Sequence, residues 1–331
     1  MEYSLKRFLA LTRTVYFRVG ISVLIIFLML VFLPFAEIWD AVRRVSIQIW
    51  IGLVSVFLMI HMIGVFKWRF IVGMGRIKIP YSVAFRCYFY GLFGNLFLPS
   101  VIGGDLIRAG MAVRHVAEKE QIIVGSIMDR FLDISSVLAI VVIGTILGTE
   151  HLTEQNRKIL TVLFFVLLVS FLLLCTVFVF VPMTRVMPKK FHDIALQTRF
   201  IIVHLVKHPV YALGSFSLAV VMQSGFVLLN AFLGSVCGIK LSILVWFIVW
   251  PLAKISAMIP VSLGGVGIRE VALAALFSPF GVQYATAVGY GFVWETVIIS
   301  GSLIGFLLTL IPFRYTSSFK KDKKAFTNYT P

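Results

Sequence analysis

Pro99-Ser-Val-Ile-Gly-Gly-Asp-Leu-Ile-Arg108 and, 161 residues later, Pro260-Val-Ser-Leu-Gly-Gly-Val-Gly-Ile-Arg269 share the pattern P-x3-G-G-x2-I-R, with five of ten positions identical. Each copy interrupts an otherwise apolar region, residues 81–114 and 242–277, with proline, paired glycine and charge. Proline removes a backbone donor and Gly-Gly weakens a helix interior. In hydrocarbon, an opened backbone must be satisfied by protein or water. Each region therefore reads as a re-entrant hairpin of two half-helices, with a distorted full crossing as the alternative.

The rest of the chain supports a bilayer setting. Of its 331 residues, 60% are hydrophobic and only 13% charged, which excludes an ordinary water-soluble enzyme. Spanning helices need about 20 predominantly apolar residues. Uncharged runs of that order lie at 19–36, 47–66, 159–181 and 209–239. Two more, 122–147 and 283–313, carry internal charge: Asp129, Arg130 and Asp133 in the first, Glu295 in the second. The expectation is an all-α polytopic membrane protein, a single domain over 1–331, with about six full spans and two opposed hairpins. Residues 315–331 form a basic cytoplasmic tail in this reading. The N-terminal basic and apolar stretch lacks a small-residue cleavage site and reads as a retained helix.

A net charge of +16 would suggest nucleic acid as partner in a soluble protein. Here the basic residues sit in short loops and act as orientation signals beside anionic headgroups. With the N-terminus inside, inner segments hold 20 Lys and Arg against 5 outside, counting Lys67 and Arg69 as loop residues. Three crossings separate the two motif copies, so the second is upside down relative to the first. That is an inverted repeat, the organisation of alternating-access transporters.

In each copy, Pro99 or Pro260 ends one half-helix, Gly103-Gly104 or Gly264-Gly265 turns the chain, and a new half-helix opens with Arg108 or Arg269. Free N–H groups and the helix dipole favour an anion there, and the guanidinium forks suit phosphate oxygens. The competing reading is that the glycines only allow close packing while each arginine pairs with a nearby acid, Asp105 or Glu270.

Asp129 and Asp133 share a helix face, and Arg130 reaches Asp133 at i,i+3. The three are candidates for gating or coupling, or for mutual neutralisation. Lys254 and Glu295 join them as gating or coupling candidates, and are expected to pair with each other. Residues 191–207 have the spacing of an interfacial amphipathic helix. His204 and His208 are four apart but lack an acidic third ligand, and Cys87, Cys175 and Cys237 form no CxxC pair, so no metal site, cofactor or disulfide framework is expected. His61, alone inside a span, reads as a packing residue. Gly144-x3-Gly148 and Gly301-x3-Gly305 read as helix-packing pairs. No GxSxG, Walker loop or catalytic His box occurs.

The combination Gly94-Asn95, Pro99, Gly103-Gly104-Asp105 and Arg108, then Asp129-Arg130 and Asp133, then Pro260, Gly264-Gly265-Val266-Gly267 and Arg269-Glu270 resembles the lysylphosphatidylglycerol synthase transmembrane (flippase-like) family over essentially the whole chain. Asp129 stands where the family often has Glu. The resemblance implies movement of lipid-linked anions between leaflets of a bacterial or archaeal cytoplasmic membrane, with Asn95 and Gly267 in the substrate-binding set. The family's bifunctional members carry a soluble aminoacyltransferase domain. That domain does not follow Lys320, so synthesis of lysyl-lipid by this polypeptide is not expected. The expected partner is an anionic membrane lipid, with room for a homo-oligomer or an envelope-biosynthesis partner. The alternative function is a membrane-embedded transferase or an accessory subunit of an envelope glycolipid pathway.

Overall fold

A computed structural model describes residues 35–74, 79–98, 101–115, 119–148, 209–258 and 265–311, together with Ser262 and isolated positions between 154 and 169. Among the described residues every element is helical: α1 (Phe35–Arg43), α2 (Ile47–Val72), α3 (Tyr81–Gly94), α4 (Val101–Ala112), α5 (Lys119–Leu147), α6 (Pro209–Val236), α7 (Ile243–Ser256), α8 (Ile268–Phe277) and α9 (Tyr284–Thr309). Of these, α2, α5, α6 and α9 are long and apolar enough to cross a bilayer. They account for four of the six expected spans. Most of the runs 159–181 and 19–36, the stretch 191–207, the tail 315–331 and Pro99, Pro260 and Gly264 lie outside the described residues.

The four long helices are apolar on nearly every side, as a lipid-facing helix must be. Their outward faces leave Ile51, Met59, Leu213, Phe232 and Leu303 exposed. Inward faces interlock through small residues. Gly301 lies against the Phe57 ring, Gly305 against Phe89, and Gly144 against Phe247 and Ile248. These are the close approaches that the small-xxx-small spacing predicts.

The remaining helices are too short to cross. At ~1.5 Å per residue, α3 and α7 span about 21 Å, and α4 and α8 less, against a hydrocarbon core of about 30 Å. They pair instead. Helices α3 and α4 fold back on each other so closely that a Cβ on Gly91 would lie 2.5 Å from the Gly104 carbonyl oxygen. Helices α7 and α8 are joined at their base by Trp246 and Phe277, with ring centroids 4.9 Å apart. At the other end, Gly265 packs on Ala257.

Helix α9 shows how the two hairpins are directed. Arg86 donates to the Ile311 carbonyl at 3.3 Å, and Phe93 stacks on Phe306 at 4.4 Å. Partner numbers on α9 fall as α3 advances, so the two helices are antiparallel. Trp246 meets Tyr290 at 5.4 Å and Trp250 meets Trp294 at 5.2 Å, so α7 runs parallel to α9. The hairpins thus approach the middle of α9 from its opposite ends.

Two local expectations are corrected. Helix α3 ends at Gly94, with the Asn95 N–H closing on the Gly91 carbonyl at 3.1 Å, well before Pro99. Gly103 and Gly104 are then helical, which makes Arg108 the eighth residue of α4, whereas Arg269 is the second residue of α8. The two copies diverge because Gly265 and Gly267 hold φ of 82° and 86°. Leu106 stands where the second copy has Gly267, and a side chain there disfavours that backbone. The second correction concerns α2, which continues past the uncharged run to Val72. Lys67 and Arg69 are therefore helix residues, and Lys67 is 1% exposed.

Candidate functional site

The first hairpin is held at its tip by Asn95, whose Oδ1 accepts from the Gly104 N–H at 2.8 Å. This amide occupies a donor in the first turn of α4 that the sequence reading left free for an anion. Only glycine fits at 104, since a Cβ would run into the Gly91 carbonyl and the Asn95 side chain.

One turn further along α4, Arg108 is buried between carboxylates. Its Nη2 lies 3.1 Å from Asp105 Oδ1 and 2.9 Å from Asp129 Oδ2. Its guanidinium also stands over the Trp68 and Tyr88 rings, at 5.0 and 5.4 Å from their centroids. Lys67 of α2 reaches Asp129 at 2.9 Å and Asp133 at 2.5 Å. Arg130 pairs with Asp105 across the helix interface. The Arg130–Asp133 pair that helix spacing allows within α5 does not form, because Asp105 and Lys67 offer those groups better-placed partners from neighbouring helices. Three cations and three carboxylates form one neutral cluster, the arrangement under which buried charge is tolerated.

The second hairpin carries a matching device. Arg269 donates to Glu270 Oε1 at 3.2 Å and pairs with Glu295 of α9. Glu270 Oε2 in turn accepts from the Gly267 N–H at 2.6 Å and so occupies the start of α8. At the same motif position, then, Arg108 and Arg269 each bridge a carboxylate of their own hairpin to one on a spanning helix. The expected Lys254–Glu295 pair is replaced. Arg269 takes Glu295, while Lys254 Nζ donates to Gln223 Oε1 at 2.6 Å.

Both hairpin tips border one cavity of about 780 Å³. Asn95, Gly104, Asp105 and Arg108 line it from the first hairpin, and Lys254, Val266 and Arg269 from the second. Lys67, Asp129, Arg130, Asp133 and Glu295 line it from the spans. Much of the remaining lining is apolar and aromatic: Phe57, Leu92, Met222, Phe226, Phe292 and Trp294. Phe97 and Ile299 also border the cavity and are 61% and 45% exposed, so it is open to the outside between the first hairpin and α9. This is the size and mixed polarity of a small-molecule site.

Among the described residues, several polar atoms around it are buried without a hydrogen-bond partner, Arg108 Nε and the indole nitrogens of Trp250 and Trp294 included. All three are donors. His61 borders the same space, with its Nδ1 3.1 Å from the Tyr88 hydroxyl. Its ring packs edge-on against Phe57 and Phe226.

Among the sequence candidates, Gly103, Gly265, Gly267 and Glu270 shape the hairpins beside the cavity without bordering it. Sequence reasoning missed Lys67, Gln223 and the Trp250–Trp294 pair. A lysine one residue beyond an uncharged run resembles a loop cation, and a lone glutamine or tryptophan in an apolar run carries no spacing signal. No cluster of three or more His, Cys, Asp or Glu with metal-binding geometry occurs among the described residues.

Residues 15–308 match the family model described as the lysylphosphatidylglycerol synthase TM region. The chain belongs to that family. It matches no curated protein and no solved structure.

Proposed function

We propose that this member of the lysylphosphatidylglycerol synthase transmembrane family moves an anionic lipid, a phospholipid or a lipid-linked phosphate, between the leaflets of the cytoplasmic membrane. One observation carries the reading. The tips of two hairpins approaching from opposite ends of α9 border a single charged cavity that opens to the outside at Phe97 and Ile299. A headgroup enters the charged side while its acyl chains remain outside against the apolar flank. Polar groups are costly in hydrocarbon, and a cavity at the hairpin tips lowers that cost along the path.

The hairpins act as the two re-entrant halves of an inverted repeat within a six-span domain. Rocking one against the other exposes the cavity to each leaflet in turn. Arg108 and Arg269, with Asp105, Glu270, Asp129 and Glu295, are the ion-pair hinges of that movement. Arg130 couples α5 to the first hairpin through Asp105, and Asp133 couples α5 to α2 through Lys67. Both termini lie on the cytoplasmic side, in keeping with the basic inner loops.

The test uses purified protein reconstituted in phosphatidylcholine vesicles containing fluorescent phosphatidylglycerol, with a membrane-impermeant quencher reading the outer leaflet. The expected result is exchange of the label between leaflets well above that in protein-free vesicles. Exchange no faster than in protein-free vesicles refutes the reading. A chemically altered headgroup without exchange assigns the cavity to an enzyme instead.

A further inference from the structure

Among the described residues, five cations border the cavity, and four of them are committed to carboxylates: Lys67, Arg108, Arg130 and Arg269. Lys254 differs, since among the described residues its Nζ has an amide oxygen, Gln223 Oε1 at 2.6 Å, as its hydrogen-bond partner. An amide oxygen satisfies one of the three ammonium donors and supplies no charge. The Gln223 amide nitrogen is itself directed at Asp133 Oδ1, 3.4 Å away, which fixes the oxygen toward Lys254. The Lys254 ammonium also lies 5.2 Å from the centroid of the Phe226 ring, on the aromatic wall.

We propose that Lys254 is the residue that receives the ligand's negative charge, and that the cavity selects a headgroup bearing one such charge, as a phosphodiester does. Gln223 positions the ammonium. The buried donors without partners, Trp250 Nε1, Trp294 Nε1 and Arg108 Nε, supply hydrogen bonds to the remaining phosphate oxygens. Arg108 and Arg269, whose charges are already met, hold the hairpins. This assignment rests on the lipid-transport reading and specifies its substrate.

The charge count sets the selectivity. The cluster around Lys67 is neutral, and the extra carboxylate beside Arg269 is Glu270, which is held by the Gly267 N–H at the positive end of the α8 dipole. Counted together, the five cations face five carboxylates, with the negative excess at Arg269, which meets both Glu270 and Glu295, and the positive excess at Lys254, whose ammonium has no carboxylate in contact among the described residues. A neutral or zwitterionic headgroup leaves that ammonium unmatched, and a phosphomonoester brings a second negative charge with no counterpart in a poorly solvated site.

The experiment measures transfer and retention of three probes by the full chain in phosphatidylcholine vesicles: fluorescent phosphatidylglycerol, phosphatidic acid and phosphatidylethanolamine. The wild type is expected to favour phosphatidylglycerol over both others. Lys254→Gln should lower its apparent affinity roughly 10- to 100-fold, the equivalent of one charge-assisted hydrogen bond, and erase the preference over phosphatidylethanolamine. Lys254→Arg should retain it. Gln223→Glu tests the same point without removing the lysine, because a carboxylate beside Lys254 neutralises it and should erase the preference equally.

Wild-type transfer with an unchanged preference in both Lys254→Gln and Gln223→Glu overturns the assignment while leaving transport standing. Preference of the wild type for phosphatidic acid overturns the single-charge rule. No transfer of any probe by the wild type overturns the transport reading, and the assignment with it.

Discussion

Lys67→Met tests the buried ion cluster most directly. Methionine keeps the unbranched stem but removes the ammonium that lies 2.9 Å from Asp129 and 2.5 Å from Asp133. Two cations, Arg108 and Arg130, then face three carboxylates, in a place where the lysine side chain was 1% exposed. Removing one partner of a buried pair leaves an uncompensated charge and costs about 3–5 kcal/mol. For a chain of this size, each kcal/mol lowers the thermal midpoint by about 2 °C, giving a fall of roughly 6–10 °C. The assay is the unfolding midpoint in detergent, read by tryptophan fluorescence at one fixed scan rate, because unfolding of a membrane protein is commonly irreversible. Lys67→Met combined with Asp133→Asn restores neutrality and should recover at least half of the loss, a favourable coupling within a double-mutant cycle. A midpoint for Lys67→Met within about 1 °C of wild type would refute the ion-cluster account of α2, α4 and α5. So would a double variant no more stable than the single one.

Two further predictions concern the hairpins. Gly104→Ala places a methyl group against the Gly91 carbonyl and the Asn95 side chain, both fixed by the hairpin itself. It should cost about 1–3 kcal/mol by overpacking, whereas Gly52→Ala, with nothing within 4 Å of the new carbon, should be neutral or slightly stabilising in the same midpoint measurement. Equal midpoints for the two variants would remove the close-packing argument. Gly267→Ala forces a side chain onto φ 86°, ψ −51°, the strained centre of a γ-turn. A loss of about 1–3 kcal/mol is expected, together with faster proteolysis at the second hairpin, while unchanged cleavage and midpoint would show that the turn relaxes without cost.

The broken elements and most of the charged candidates were legible in the linear pattern. A bilayer imposes length and apolarity on each crossing segment locally, so α2, α5, α6 and α9 announce themselves as runs. Proline, paired glycine and charge inside regions of similar length mark that a helix is broken there but not at which residue, since in the first copy α3 ends at Gly94 and Gly103-Gly104 are helical. The doubled P-x3-G-G-x2-I-R pattern singled out Arg108 and Arg269 together, and both border one cavity.

What spacing did not reach is which charge meets which. Arg130 and Asp133 suit one another by helix period, yet each is paired from another helix, and Lys254 and Glu295 find different partners on either side of the cavity. Lys67 passed for a loop cation because one-dimensional position does not say where a helix ends in depth. The same decapeptide pattern also folds in two ways, helical at Gly103-Gly104 and turned at Gly265 to Gly267, where Gly267 takes a positive φ that Leu106 at the matching position disfavours. Span and break are properties of a segment and its solvent. Pairing, cavity and opposed approach belong to the rotation and depth at which separate helices pack, and these exist only once the helices have assembled.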